Sequence, residues 1–97
     1  MPVPQEWDLT GKAAIVTADR RGWTPFLAST LAEAGAAVAV AGSPGASDMD
    51  EAAEAVRDRG AKVLSIGTDV TSPSSVESMV ERTVSEFGRV DILVNNA

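Results

Sequence analysis

Residues 24–41, TPFLASTLAEAGAAVAVA, contain the pattern that decides the fold. Pro25 is preset for a first helical turn, and Thr24 suits the N-cap position before it. Gly35 can enter the left-handed conformation that ends a helix, and a continuously apolar run follows at residues 37–41. The segment therefore predicts a helix, a stop and a strand, and the apolar face of the helix would comprise Phe26, Leu27, Thr30, Leu31 and Ala34.

The same pattern occurs twice more along the chain, closed by Gly60 and Gly88. A second helix is predicted over residues 48–59, with a buried face of mostly alanine plus Val56. A third is predicted over residues 74–87, where Ser74 or Ser75 can cap the start. Its apolar side chains recur at steps of three and four residues, which indicates one buried face: Val76, Met79, Val80, Thr83, Val84 and Phe87.

Short apolar runs at residues 13–17, 37–41, 62–68 and 90–94 alternate with these helices. The first two are continuously apolar, which is typical of strands covered on both faces of a parallel sheet. With right-handed crossovers, the order β-α-β-α-β-α-β predicts an α/β fold: a three-layer, doubly wound parallel sheet with strand order 3-2-1-4. The last strand would then be an exposed edge.

Composition narrows the classes of function. The 97 residues are 44% hydrophobic, and no apolar run approaches the length of about 20 residues that a membrane span needs. A formal charge of −6 argues against a nucleic-acid partner, because such proteins cluster lysine and arginine against phosphate. The sequence has no cysteine and no histidine, which excludes disulfides and cysteine-bound metal within it, and we predict no metal site. These features are compatible with a cytoplasmic protein with neither a membrane nor a nucleic-acid partner.

The loop after the first strand, residues 17–24, is the place to expect a ligand. In a doubly wound sheet, ligands bind beyond the carboxyl ends of the strands, beside the point where the strand order reverses. This loop runs directly into a helix whose free N–H groups and positive dipole end can hold a phosphate.

Four motifs stand at the ends of predicted strands: Asp8-Leu9-Thr10-Gly11-Lys12, Thr17 with Gly22, Asp69-Val70, and Asn95-Asn96-Ala97. Together they resemble the short-chain dehydrogenase/reductase family. The resemblance implies a Rossmann fold that binds NAD or NADP and transfers hydride between a nicotinamide and an alcohol or carbonyl. It also implies that residues 1–97 are the N-terminal, adenosine-binding part of one such domain, without the catalytic part.

The family's glycine loop reads threonine, glycine, three residues, glycine, any residue, glycine. Thr17 and Gly22 match it, whereas Ala18 and Thr24 replace the first and third glycines. Such replacements cost about 1–3 kcal/mol where the backbone needs a glycine-only conformation, so we expect weakened cofactor binding. The cofactor-binding residues that the resemblance implies are Thr17, Ala18, Arg20, Arg21, Gly22, Trp23, Thr24, Ser43, Asp69, Val70, Asn96 and Ala97.

Two positions bear on the choice of cofactor. Arg21 resembles the basic residue that NADP-preferring members place near the adenosine phosphate, and Gly42-Ser43 stands where an NAD-preferring member has an acid for the ribose 2′-hydroxyl. The resemblance therefore favours NADP over NAD. Asp69 and Val70 resemble the pair that contacts adenine, although Asp69 is equally compatible with a loop or cap role before the third helix.

Catalysis in this family needs a serine, and a tyrosine with a lysine four residues later. The sequence contains no tyrosine, so we predict no catalytic residue in it and no activity for the chain alone. The leading hypothesis is the N-terminal part of an NAD(P)-dependent oxidoreductase that forms homo-oligomers at full length. The alternatives are a nucleotide-binding module without catalysis, whose glycine loop is degenerate, and an interaction fragment that pairs through its exposed last strand.

Overall fold

The computed structural model describes residues 7–18, 23–43 and 47–95. The strands are β1 (Ala13–Thr17), β2 (Ala37–Gly42), β3 (Val63–Gly67) and β4 (Ile92–Val94), and the helices are α1 (Thr24–Glu33), α2 (Ser47–Asp58) and α3 (Pro73–Phe87). The four strands form one parallel sheet in the order β3-β2-β1-β4, which confirms the predicted topology. β4 is an edge strand, as predicted.

The sheet separates two apolar clusters, which gives the three layers. On one face, Val16, Val38 and Val40 pack with α1 and α2 through Ala28, Ala52 and Val56. On the other face, Ile15, Ala39, Ala41 and Ile66 pack with α3 through Met79. β1 is buried along its whole length because both of its faces are covered, as its apolar composition indicates.

The buried face of α1 matches the predicted stripe only in part: Leu27 and Leu31 are half-buried and pack against the core. Thr24, Pro25, Ala28 and Ala32 are buried, whereas Phe26 is 63% exposed. Thr30 is also exposed, and its hydroxyl donates to the carbonyl of Phe26 at 2.8 Å. Ala28 and Ala32 of α1 lie in the same apolar cluster as Ala52 of α2. Their small side chains allow the two helices to pack closely on one face of the sheet.

Only part of the predicted α3 stripe is buried. Met79 and Thr83 are buried and Val76 and Phe87 are half-buried, but Val80 and Val84 are exposed. Within the described residues α3 is the sole helix on its face of the sheet, so nothing covers its outer flank. The buried face of α2 is confirmed in Ala52, Ala53 and Val56, with Met49 in addition.

Both predicted N-caps are wrong by one to three residues. The N-cap of α3 is Ser72, whose hydroxyl accepts the N–H of Ser75 at 3.4 Å. Ser72 precedes Pro73, and a residue before proline favours the extended conformation that an N-cap adopts. The N-cap of α1 is Trp23, which makes no side-chain capping bond, and Thr24 is the first helical residue.

The amino-terminal edge of the sheet is fixed by tight turns. Gly35, Gly60 and Gly88, the three predicted helix stops, all have positive φ, of 109°, 76° and 82°. Asp91 joins β4 to β1, because its carboxylate accepts the N–H of Ala13 at 2.9 Å while its own N–H donates to the carbonyl of Ala13 at 2.9 Å. No helix in the described residues is long and apolar enough to span a membrane.

Candidate functional site at the carboxyl edge of the sheet

Four chain segments leave the sheet at its carboxyl edge: those after Thr17, Gly42, Gly67 and Val94. The parallel register, which pairs Thr17 with Ala41 and Gly42 with Gly67, brings the first three to one level. Two short backbone bonds prolong the pairing, from the N–H of Ala18 to the carbonyl of Ala41 and from the N–H of Thr68 to the carbonyl of Gly42, both at 2.6 Å. These backbone hydrogen bonds therefore hold the first residue after β1 and the first residue after β3 in place beside β2.

A cleft of about 410 Å³ opens at this edge, between β1, β4 and the start of α3. Thr17 and Asn95 supply polar groups to it, and the Thr17 hydroxyl donates to the carbonyl of Val94 at 3.3 Å and to Oδ1 of Asn95 at 3.4 Å. The remaining lining is apolar: Val70, Val76, Met79 and Leu93. Val70 is 44% exposed and Leu93 is 62% exposed, so the cleft has accessible apolar walls.

Asp69 is held in a defined orientation beside this cleft. Its Oδ1 accepts the N–H of Thr71 at 2.9 Å and the hydroxyl of Thr71 at 2.6 Å, and these bonds lower the pKa of the Asp69 carboxyl below its usual value. Its own N–H donates to the hydroxyl of Ser75 at 2.9 Å. Among the described residues no donor contacts Oδ2, which leaves an ionised oxygen as an acceptor. Asp69 thus has the loop role that the sequence allows, and its Oδ2 atom has no donor among the described residues.

The start of α1 lies at the same edge. Trp23 is exposed, and its carbonyl accepts the first helical bond, from the N–H of Leu27 at 3.0 Å. Thr24 is fully buried, and no buried side-chain oxygen or nitrogen in the described residues lacks a hydrogen-bond partner. The larger side chain that replaces the expected glycine is therefore accommodated in the interior. The first N–H groups of a helix have no acceptor within the helix itself.

Ala18 and Ser43 follow β1 and β2. Ala18 is half-buried and packs against the cluster that α1 and α2 form, whereas Ser43 is exposed. The first carboxylate after β2 is Asp48, inside the first turn of α2. The end of β2 itself carries no acid, as the sequence indicates.

The described cations lie elsewhere. Lys12 and Lys62 precede strands, Arg57 and Arg59 close α2, Arg82 is within α3, and Arg89 precedes β4. Arg20 and Arg21 are the remaining cations of the sequence, and with Gly22, Asn96 and Ala97 they lie outside the described residues. The structure therefore brings together Thr17, Ala18, Trp23, Thr24, Ser43, Asp69 and Val70 of the predicted set at one edge.

Sequence reasoning missed several contributors to this edge. The sequence indicates only a capping role for Ser75, yet its hydroxyl accepts the N–H of Asp69. The spacing of Val76, Met79 and Leu93 indicates helix and strand packing, and the three side chains also line the cleft. Their helical or strand spacing gave no signal for this second role, because it depends on how α3 lies across the sheet.

A second cleft, of about 340 Å³, lies at the opposite edge among residues that precede the strands, including Gly11, Lys12 and Lys62. Ligand sites of doubly wound sheets lie at the carboxyl ends of the strands, so this cleft is not the expected site. Its walls are largely the turns that close α1 and α2.

A parallel sheet ordered 3-2-1-4, with a helix N-terminus and an oriented carboxylate at its carboxyl edge, defines a Rossmann-like nucleotide-binding class of fold. Comparison with known proteins specifies the family. A profile of the short chain dehydrogenase family matches residues 12–97. The chain belongs to this family.

The chain is 43% identical over 93 residues to the short chain dehydrogenase/reductase astE of Aspergillus oryzae, covering 96% of this chain and 36% of that protein. It is 43% identical over 88 residues to the 3-oxoacyl-[acyl-carrier-protein] reductase FabG of Escherichia coli, covering 90% of this chain and 34% of that protein. The chain thus spans about a third of the length of the curated relatives it matches.

Solved structures agree in fold. A short-chain dehydrogenase/reductase from Serratia marcescens superposes with a TM-score of 0.79 at 39% identity, covering 92% of this chain and 36% of that one. The apo form of the glucose dehydrogenase of Caenorhabditis elegans superposes with a TM-score of 0.80 at 32% identity, covering 92% and 38%. The family shares a dinucleotide cofactor, NAD or NADP.

Proposed function

We propose that this chain forms the adenosine-binding half of the cofactor site of an NAD(P)-dependent oxidoreductase. The observation that carries the proposal is the convergence of Thr17, Asp69 and the start of α1 on one edge of the sheet. In the whole enzyme, the bound nicotinamide would supply or accept a hydride in the interconversion of an alcohol and a carbonyl. The substrate-binding and catalytic residues of such an enzyme would lie outside this sequence.

The described residues fit an adenosine nucleotide. Oδ2 of Asp69 is an ionised acceptor for the exocyclic amine of adenine, and the exposed side chain of Val70 offers apolar surface to the ring. The first-turn N–H groups of α1 suit a pyrophosphate. Thr17 and Asn95 are the polar residues that line the neighbouring cleft.

The preferred cofactor within this proposal is NADP. A carboxylate at the end of β2 would accept from the ribose 2′-hydroxyl of NAD and would repel a 2′-phosphate. That position holds Gly42 and the exposed Ser43, so the described residues place no such repulsion there. Arg21 remains the sequence-based candidate for the phosphate, and Arg20 is its neighbour.

The test is to measure the Kd of NADPH and of NADH for the chain and for its Ser43→Asp variant. We expect NADPH to bind more tightly than NADH, and we expect Ser43→Asp to reduce the ratio of the two affinities at least about tenfold. The introduced carboxylate would repel the 2′-phosphate of NADPH, and a repulsion of about 1.4 kcal/mol already corresponds to a factor of ten. Ser85→Asp on the exposed surface of α3 adds the same charge away from the site and should leave the ratio unchanged. Equal affinities for the two cofactors that Ser43→Asp does not alter would contradict the NADP assignment.

Catalysis is tested separately. The absence of tyrosine supports the prediction that the purified chain oxidises or reduces no nicotinamide with a panel of alcohols and carbonyls. Turnover by the chain would contradict it. Saturable NADPH binding without turnover, by a chain that is the complete protein in its own cells, would favour the alternative of a non-catalytic nucleotide-binding module. The homo-oligomeric full-length form and the cytoplasmic location remain part of the proposal and rest on the sequence alone.

A further inference from the structure

Gly42, at the end of β2, stands in close contact with the first residue of the nucleotide loop. A Cβ atom built on Gly42 would lie 2.8 Å from Cβ of Ala18, 3.3 Å from Sδ of Met49 and 3.6 Å from Cγ of Met49. The backbone of Gly42 is not in the left-handed region, unlike that of Gly35 or Gly60. Position 42 therefore requires glycine because there is no room for a side chain, and not because of its backbone conformation.

The backbone around Gly42 has little freedom to relieve such a contact. On one side, the N–H of Ala18 donates to the carbonyl of Ala41, and on the other the N–H of Thr68 donates to the carbonyl of Gly42, both at 2.6 Å. Movement of the end of β2 away from Ala18 would strain these bonds. The thioether of Met49 can rotate, but the methyl group of Ala18 has no rotamer that removes it.

The methyl group of Ala18 also has a defined direction. It packs against the apolar cluster of α1, α2 and the sheet and meets Gly42 there. The methyl group of Ala18, which replaces the expected loop glycine, is thus directed into the core. It fits there because Gly42 has no side chain.

We propose that Gly42 is a positioning residue of the adenosine site: it accommodates the Ala18 methyl group and so keeps the start of the nucleotide loop joined to β2. This inference rests on the proposed function for its ligand, although the contact itself does not. It differs from the sequence-based expectation that Ala18 weakens cofactor binding, since the methyl group need not face the nucleotide.

A double-mutant cycle tests the proposal, with the melting temperature and the Kd of NADPH measured for the chain, Gly42→Ala, Ala18→Gly and the double variant. We expect Gly42→Ala to lower the Tm by roughly 5–15 °C, as overpacking of a small domain does, and to weaken NADPH binding. The double variant should recover most of both losses. Ala18→Gly alone should not tighten NADPH binding, because the methyl group that it removes packs against the core.

Three outcomes would overturn the inference. A Gly42→Ala variant as stable as the unsubstituted chain would show that the space is not needed. A double variant as unstable as Gly42→Ala would show that Ala18 is not the limiting contact. Tighter NADPH binding by Ala18→Gly would show that the methyl group faces the ligand. If no form of the chain binds NADPH, the proposed function fails, while the stability cycle still decides whether the two residues are coupled.

Discussion

Asp8 and Asp69 form the same turn at opposite edges of the sheet. In each, Oδ1 accepts the N–H and the hydroxyl of the threonine two residues later, at 2.9 Å and 2.6 Å, and these bonds lower the pKa of the carboxyl. The surroundings differ, because Thr10 packs against Gly35 at the amino edge, whereas Asp69 lies beside the cleft at the carboxyl edge. The same local turn therefore packs against the end of a helix at one edge and borders a cleft at the other.

At the amino edge, the segment before β1 packs closely against the end of α1. A Cβ on Gly35 would lie 2.6 Å from the hydroxyl oxygen and 2.9 Å from the backbone nitrogen of Thr10, and the N–H of Leu9 donates to the carbonyl of Ala34 at 2.8 Å. The segment before β1 is thus fixed onto the end of α1. No ligand is needed to explain its geometry.

The largest effect is expected from Gly35→Ala. The residue has φ of 109°, and the added methyl group would meet Thr10, so we expect the free energy of unfolding to fall by roughly 2–5 kcal/mol in urea denaturation. Gly60→Ala is the matched control, because φ is 76° there but nothing lies within 4 Å of the added carbon. It should cost about 1–2 kcal/mol. Equal losses in the two variants would mean that the contact with Thr10 contributes nothing.

A comparison of Asp69→Ala with Asp8→Ala distinguishes the roles of the two turns. We expect Asp69→Ala to raise the Kd of NADPH about 2- to 10-fold, the usual range for one hydrogen bond, with a small change in Tm. Asp8→Ala should lower the Tm further and leave the Kd unchanged, because its turn supports the contact of Thr10 with Gly35. If both variants bind NADPH as the unsubstituted chain does, Asp69 is a structural turn residue like Asp8.

The sequence was sufficient for the topology, because its signals were local. The apolar runs and the three glycine stops each act within a few residues, and they predicted β1 to the residue. The strand order 3-2-1-4 then followed from the alternation of strands and helices and the rule of right-handed crossovers. The sequence also contains the signal for the N-cap of α3, because Pro73 favours the first helical position and so a cap at Ser72.

What could not be predicted depends on distances between elements. The spacing of Phe26 matched an apolar stripe, but the close approach of α1 and α2 admits Ala28 and Ala32 and leaves Phe26 exposed. The position of Asp69 at the carboxyl edge followed from the topology, whereas its bond to Ser75 and the contact of Ala18 with Gly42 did not. Such contacts depend on exact separations at the strand ends, which residue types alone do not specify.

The smallest expected effect is on the pH dependence of stability and involves Asp91, whose carboxylate joins β4 to β1. Asp91 accepts two bonds from Arg89, from Nε and Nη2 at 2.7 Å each, and one from the N–H of Ala13. The Arg89 bonds chiefly, and the Ala13 bond next, hold the pKa of the Asp91 carboxyl below its usual 3.8. Because the folded-state pKa is the lower one, this stabilisation is complete above the unfolded-state pKa and is lost as the pH falls through the folded-state value.

Asp91→Asn should therefore flatten the acid limb of the stability curve. We expect the free energy of unfolding, measured in urea between about pH 6 and about pH 2.5, to fall less steeply in the variant than in the unsubstituted chain. Some slope should remain, because the pKa values of Asp8 and Asp69 are lowered with the same sign. Asp58→Asn, at the exposed end of α2, is the control and should keep the steeper slope. Parallel curves for both variants and the unsubstituted chain would mean that the Arg89–Asp91 pair, half open to solvent on the arginine side at 49% exposure, is too well hydrated to stabilise the amino edge.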